Sequence, residues 1–466
     1  CHTSGTSGAK VSDLKWIHVS DKIIHTIWAP GMRAIFEASG LNNTSSAIIF
    51  VPSRTFADGL KIEKNRKIIS LYSSEFSQRL MLSLIRPREY LIDQYKNSKN
   101  LLVIEKILSM DEISVISAPA STILSWANVE KFSRGIKRFL ANNSKNDEVK
   151  NSKLFKKIEN EGLTATVRYI QNEFSKIFSE CTLVFSISSL TEYEWEQIRN
   201  FMKWDKNKEN FTNLYVGSEI GPFSASIRHS VSEISPKDRM FVFPLHIPVI
   251  MKNGDIDLLS RTKNRIGELF ISRISQTDLV INIQTGDIIT IKEQDGLPQI
   301  GGDILRAPFR LKKKVSILPN YQITEDYTIF VGDYFNLENI EIVNPRRLFA
   351  CLAEKCNFER DSVMIYKSKD TDQQWIMLIP IRNNDKSSKL NDIFENLNFC
   401  PSGNNLINAI TEKLLRLELI DTIPLKSEKS SSELLEQVSK GIMPKGILKK
   451  WPLYVIMPKN KENFKS

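Results

Sequence analysis

Apolar positions along this chain show two textures, and the change comes near Arg239. Before it, short continuous apolar runs alternate with longer stretches of helical period. Residues 47–51 form such a run, closed by Pro52, and predict a buried strand. Residues 113–117 form another, closed by Ala118 and Pro119. A helix is expected over 122–140. Asn, Lys, Ser and Asp crowd 141–153, which predicts a loop. Leu163, Val167, Ile170, Phe174 and Ile177 then recur at steps of four and three, giving a helix with one apolar face. Residues 181–187 return as a strand. This strand–helix–strand rhythm implies parallel sheets covered by helices.

Beyond Arg239 the runs shorten. Residues 240–243, 247–251, 268–272 and 279–283 are strand candidates separated by turns, which predicts a β-rich subdomain. A last unit starts near Gly332. It predicts a helix over 346–356, paired strands at 362–366 and 375–381, helices over 389–397 and 406–417, and a final strand at 452–457. Polar loops are expected at 382–389 and 426–432. The whole is an α/β chain with a β-rich part and a small α+β domain at the end, and no internal repeat.

At 466 residues the chain exceeds one ordinary core, so two or three domains are expected. No apolar run of about eighteen residues occurs, so a membrane span is not expected. The nearest candidate, 240–251, is interrupted by Pro244, His246 and Pro248. The net charge of +10 raises nucleic acid or anionic lipid as partners. The lysines are spread, however, with Lys312-Lys313-Lys314 the one run of three, and no aromatic-plus-basic recognition motif accompanies them. Lys131, Arg134, Lys137 and Arg138 mark one basic helix face. It reads as solvated surface, or as a face for an acidic or phosphate-bearing partner. Five cysteines at irregular spacing argue against a disulfide framework and fit a reducing cytoplasm. The chain begins at Cys1, and an excised piece of a longer protein is expected.

Candidate chemistry starts at once. In Thr3-Ser4-Gly5-Thr6-Ser7-Gly8-Ala9-Lys10 the glycines let backbone approach a ligand closely. The hydroxyls donate and Lys10 supplies a point charge, so the stretch suits a polyphosphate. Its composition is equally that of a flexible linker. Ala118-Pro119-Ala120-Ser121 follows a strand and opens a helix. Then come Tyr215-Val216-Gly217-Ser218-Glu219-Ile220-Gly221, Gly267-Glu268-Leu269, Thr285-Gly286-Asp287, Arg310, Gly332-Asp333-Tyr334-Phe335, Ile340-Glu341 and Ile456-Met457-Pro458-Lys459. By itself Thr285-Gly286-Asp287 also suits a hairpin turn.

In this order the pieces resemble the motifs of the adenylate-forming (AMP-binding) superfamily, in its phenylacetate–CoA ligase-like and acyl-protein synthetase branch, here truncated at the N-terminus. Departures are visible. The first loop lacks the usual proline, and its lysine comes one place early. Val216 stands where Gly is normal, Gln284 replaces an arginine, and Phe309 and Lys312-Lys313 alter the hinge motif. The resemblance implies a large AMP-binding domain over 1–309, its β-rich part from about 239. A hinge region over 310–331 and a C-terminal lid over 332–466 would follow.

It also implies roles. Thr3, Ser4, Gly5, Thr6, Ser7, Gly8 and Lys10 would hold ATP phosphates. Tyr215 would lie against adenine, Ser218 would meet phosphate, Glu219 would hold Mg²⁺ and Asp287 would bind the ribose hydroxyls. Arg310 would contact ribose or phosphate, and Lys465 (or Lys461) the carboxylate under attack. The implied reaction joins a carboxylic acid to AMP and passes the acyl group to a thiol, of CoA or of a carrier protein's phosphopantetheine. Two rivals remain open: transfer to the chain's own Cys400, as in acyl-protein synthetases, and an adenylation-like module that binds without turnover.

Overall fold

The computed structural model describes residues 19–51, 61–63, 66–67, 73–187, 190–204, 210–217, 220–226, 239–252, 254–262, 265–274, 279–292, 298–311, 315–317, 327–356, 362–367, 374–381, 386–421, 425–427 and 451–458. One twelve-stranded sheet carries most of the chain. At one end, five strands lie parallel in the spatial order Glu89–Gln94, Ser46–Val51, Ile113–Ser117, Thr182–Phe185 and Phe211–Gly217. The second of these in chain order sits outside the first. The order therefore reverses between Ser46–Val51 and Ile113–Ser117, and in open α/β sheets ligands bind beyond the carboxyl ends at such a point.

These strands are apolar on both faces because helices cover both. Ser46–Val51 is buried at every position. Its Ile48 and Phe50 join a core with helices Leu101–Leu108, Val129–Asn142, Leu163–Ile177 and Glu192–Met202. Its Ala47, Ile49 and Val51 face helices Ala29–Ala38 and Ser73–Ile85. A strand covered on two sides reads as one continuous run, which is why the sequence pattern found it. The expected helix over 122–140 is two helices, Ala120–Ala127 and Val129–Asn142. Asn128 between them is extended, and its side chain accepts a hydrogen bond from Lys131 N, so it caps the second helix. Within the expected loop over 141–153, Asn146 caps a short helix, Asp147–Asn151.

The β-rich part is the antiparallel half of the same sheet. From Phe211–Gly217 the order continues through Gly221–Ala225, Met240–Val242, Gln299–Arg306, Leu279–Ile291, Ile266–Ile274, Ile247–Lys252 and Asp255–Leu258. A second sheet of six strands follows, in the order Phe309–Arg310, Tyr327–Val331, Leu453–Pro458, Val363–Lys367, Trp375–Pro380 and Leu415–Ile420. Two stretches that the sequence places in or beside a hinge, Phe309–Arg310 and Tyr327–Val331, are thus strands of the small domain, paired at Phe309↔Val331 and Arg310↔Phe330. The helix expected over 406–417 also changes. Helix Gly403–Thr411 ends, Lys413 takes a left-handed φ of 59°, and Leu415–Ile420 pairs parallel with Trp375–Pro380. Leu415, Leu417 and Leu419 alternate with Arg416 and Glu418, a period of two rather than 3.6.

The cysteines correct another expectation. Cys351 and Cys400 form a disulfide, 49 residues apart, with Cα atoms 5.7 Å from each other. It ties helix Pro345–Lys355 to the turn before Gly403–Thr411. Irregular spacing along the chain says nothing about adjacency created by folding. Cys181 and Cys356 are free and buried.

Trp126 is the centre of the larger core. It is fully buried, donates from Nε1 to Ser98 O at 2.9 Å, and meets the rings of Phe50, Phe174 and Phe178 at 5.7, 4.9 and 6.0 Å. Trp126→Ala should therefore destabilise the large domain by about 3–5 kcal/mol. A shift in urea midpoint equivalent to less than ~1 kcal/mol would contradict this placement.

Lys99, next door, lies along Gly135 and donates to Ser98 Oγ at 2.8 Å. Burial lowers its pKa from 10.5 to about 8. Between those values the unfolded chain holds a proton that the folded one has released, so stability rises with pH across this window. The deficit from the buried charge is full below pH about 8 and gone above 10.5. Lys99→Met should flatten this rise. Urea midpoints of the two proteins at pH 7, 9 and 10.5 measure it, and parallel pH profiles would refute it.

Candidate functional site

Two of the sequence candidates meet. Tyr215 stands near the carboxyl end of strand Phe211–Gly217, and Asp287 on Leu279–Ile291. The Tyr215 hydroxyl donates to Asp287 Oδ2 at 2.7 Å. Tyr215 is buried, with its ring edge-on to Phe223 at 5.4 Å. Burial first, and then the Asp287 carboxylate, push the phenol well above its usual pKa, so it stays a neutral donor.

The turn that presents Asp287 is built locally. Thr285 Oγ1 donates to Leu269 O at 2.7 Å and accepts from Asp287 N at 3.1 Å. Gly286 sits at φ +72°, a left-handed conformation that favours glycine. Arg306 then closes the arrangement. Its Nη1 lies 2.8 Å from Asp287 Oδ1 and also donates to the carbonyls of Thr285 and Gly286 at 3.0 and 3.1 Å. The sequence reading missed this residue. The small domain seats on the same spot, with Asp333 N donating to Arg306 O at 2.8 Å and Arg306 N to Asp333 Oδ2 at 3.2 Å. One fifth of the Asp287 side chain is still exposed. A fixed carboxylate at a domain junction, flanked by a neutral phenol and a guanidinium, can accept hydroxyl protons from a polar ligand.

Neighbouring motifs have structural work. Gly221 has φ +71°, and a Cβ there would lie 2.3 Å from the Trp28 ring. His246 Nε2 lies 2.5 Å from Ile220 O. Burial, more than any other cause, lowers the His246 pKa, so the ring is neutral and donates this bond. Glu268 is buried and accepts from Gln284 Nε2 at 2.8 Å. Ala118-Pro119 follows Ile113–Ser117 at the carboxyl edge and opens helix Ala120–Ala127.

Arg310 lies exposed on the edge strand of the small sheet, whereas Arg306, four residues earlier, is the arginine that meets Asp287. Thr3, Ser4, Gly5, Thr6, Ser7, Gly8, Lys10, Ser218, Glu219, Lys461 and Lys465 lie outside the described residues. Cys400 is not a free thiol, because its sulfur is bonded to Cys351. As a disulfide it has no thiolate to accept an acyl group, which corrects its candidacy as nucleophile. A cavity of about 340 Å³ lies elsewhere, at the amino ends of Ile113–Ser117 and Thr182–Phe185, beside Ser39, Glu112 and Glu180. That is the opposite edge of the sheet from Tyr215.

The Arg306–Asp287 pair generates a prediction. Arg306→Ala should cost about 2 kcal/mol, as for a hydrogen-bonded ionic partner, and clearly less in an Asp287→Asn background. Denaturation of the four proteins measures it, and equal costs in both backgrounds would show that the two side chains are not coupled.

No family model and no curated protein matches the chain. Solved structures do match. An open conformation of 2-hydroxyisobutyryl-CoA ligase in complex with 2-HIB-AMP and CoA is similar with a TM-score of 0.54 and 9% identity, over 90% of this chain and 72% of that one. O-succinylbenzoate coenzyme A synthetase from Bacillus subtilis, in complex with AMP, gives 0.45 and 11%, over 96% and 68%. The first of these likenesses is one of architecture: the chain has the fold of the adenylate-forming ligases, which the order of its motifs implies.

Proposed function

We propose that this protein activates a carboxylic acid with ATP. The acid's oxygen attacks the α-phosphorus, pyrophosphate leaves, and an acyl-adenylate remains. The thiol of CoA or of a carrier protein's phosphopantetheine then attacks the acyl carbon, gives up its proton and displaces AMP, leaving a thioester. The observation that carries the reading is Asp287, held between Tyr215 and Arg306 where the small domain seats on the large one. Its carboxylate suits the paired hydroxyls of a ribose. Fixing the sugar fixes the direction from which the α-phosphorus is attacked. Tyr215 keeps the carboxylate oriented and stays protonated while it does so.

Phosphate binding falls to Thr3, Ser4, Gly5, Thr6, Ser7, Gly8, Lys10 and Ser218 in this proposal, and contact with the reacting carboxylate to Lys465. Arg310, on the edge strand of the small sheet, keeps its proposed contact with ribose or phosphate. A Mg²⁺ carried by the nucleotide takes most of its ligands from phosphate and water and needs only one or two carboxylates. Among the described residues no group of three metal-binding side chains gathers, and a single carboxylate, Glu219, is assigned to it. When bound, the ion would neutralise charge on the departing pyrophosphate. Among the described residues no helix is long and apolar enough to cross a membrane. A cytoplasmic setting belongs to the proposal, and a reducing compartment would work against the Cys351–Cys400 bridge.

Carboxylate-dependent exchange of labelled pyrophosphate into ATP, across aryl and fatty acids, tests the reading. The wild-type chain should exchange with at least one acid, and Asp287→Ala and Glu219→Ala should each lower the rate by at least about a hundredfold. Exchange at the wild-type rate in both variants would refute the site. ATP binding without exchange for any acid would favour the binding module instead.

A further inference from the structure

The small domain grips the large one through a helix start. Asn344, in a left-handed conformation at φ 48°, caps helix Pro345–Lys355 by accepting from Arg347 N at 3.3 Å. This cap directs the two following arginines back across the junction. Arg346 Nη2 donates to Glu194 Oε1 at 2.7 Å. Glu194 is itself fixed, because its Oε2 accepts from Thr191 N in the capping box of helix Glu192–Met202.

Arg347 is held more fully. Its Nη1 and Nη2 fork onto the two oxygens of Asp303 at 2.5 and 3.0 Å, and its Nε donates to Leu190 O at 2.5 Å. The guanidinium and the carboxylate are 21% and 30% exposed, so the pair is largely shielded from water. Only a planar fork can make these three bonds at once.

Asp303 lies on strand Gln299–Arg306, three residues before the arginine that holds Asp287. Leu305 on this strand shares an apolar cluster with Tyr334 and Val343 of the small domain, whereas Ile304 packs against the cluster of Tyr215. One face of the strand is thus clamped by the small domain, while the other orients the candidate nucleotide carboxylate.

We propose that Arg347 is a positioning residue. Its grip on Asp303 sets the seat of the small domain on strand Gln299–Arg306, and through that strand the aim of Arg306 and Asp287 at the nucleotide. The inference rests on the ATP-dependent reading above for its functional half, and on the clamp alone for its mechanical half.

Two measurements on the full chain test it. Isothermal titration with ATP should show binding weakened about tenfold in Arg347→Ala and nearly as much in Arg347→Lys, which keeps the charge and loses the fork. Asp303→Asn should match Arg347→Ala, and the double variant should add little further loss. The KM for ATP should rise with the dissociation constant while the KM for the acid stays within about twofold. Amide hydrogen exchange should quicken across 299–306 and 284–291 in Arg347→Ala, and far less in Arg346→Ala, whose arginine is more exposed and makes a single bond to Glu194. Unchanged exchange across 299–306 overturns the clamp, and wild-type ATP affinity in Arg347→Ala overturns its positioning role. If wild type itself binds no ATP, the ligase reading fails and the positioning role with it, while the exchange data still decide the clamp.

Discussion

The structure hangs on strand Phe211–Gly217, which pairs parallel with Thr182–Phe185 on one side and antiparallel with Gly221–Ala225 on the other. A strand in that place must end the βαβ winding and begin the meander. Asn213 at its centre is fully buried, and its amide is spent on both halves. Nδ2 donates to Gly302 O at 2.8 Å, on the antiparallel side. Oδ1 accepts from Ile187 N at 3.3 Å, just beyond the parallel strand Thr182–Phe185. Its backbone N donates to Ser226 Oγ at 2.7 Å. A buried amide left unpaired costs far more than a satisfied one gains, so these bonds hold one register against slippage. Tyr215, two residues on, inherits its position from that register.

From this seam the candidate site follows as geometry. Tyr215 comes from the parallel side and Asp287 from the antiparallel side, so their contact exists only because the two halves share a sheet. Arg306 ends strand Gln299–Arg306 three residues before the small sheet begins at Phe309. Asp333 and Arg347 return from the small domain to the same strand, at Arg306 and at Asp303. One strand therefore carries the cation of the site and two of the anchor points of the second domain. Coupling through packed and hydrogen-bonded neighbours needs only such short links.

Much of this was legible in the residues. Buried parallel strands announce themselves as unbroken apolar runs, and Ile113–Ser117 was bounded to the residue. Helix Leu163–Ile177 was equally plain from Val167, Ile170 and Phe174, all fully buried. What failed was local competition between states. Asn128 splits one expected helix because its side chain caps better than it continues. Leu415–Ile420 is short and follows a helix closely, so its alternation was absorbed into a helical period. Tyr215 and Asp287 stood out because each sits in a motif with glycine and hydroxyl neighbours. Arg347 had no such setting. Nothing in Pro345-Arg346-Arg347 distinguishes a solvated helix start from a clamp until Asp303 is found opposite.

Arg306 was hidden for a different reason, which lies in the sheet register. Leu279–Ile291 and Gln299–Arg306 pair at Ile291↔Ile300 near their connection. Counted back from there without interruption, the residue opposite Asp287 is Ile304, which has nothing to offer a carboxylate. An irregularity between Ile289 and Ile291 shifts the pairing by two, and Asp287 falls opposite Arg306 instead. Gln284 donates to the buried Glu268, so the neutral amide satisfies the carboxylate there. The positive charge at the site comes from the neighbouring strand, where Arg306 meets Asp287. Arg306 is therefore brought to Asp287 by an irregularity in the ladder rather than by any residue a motif would name.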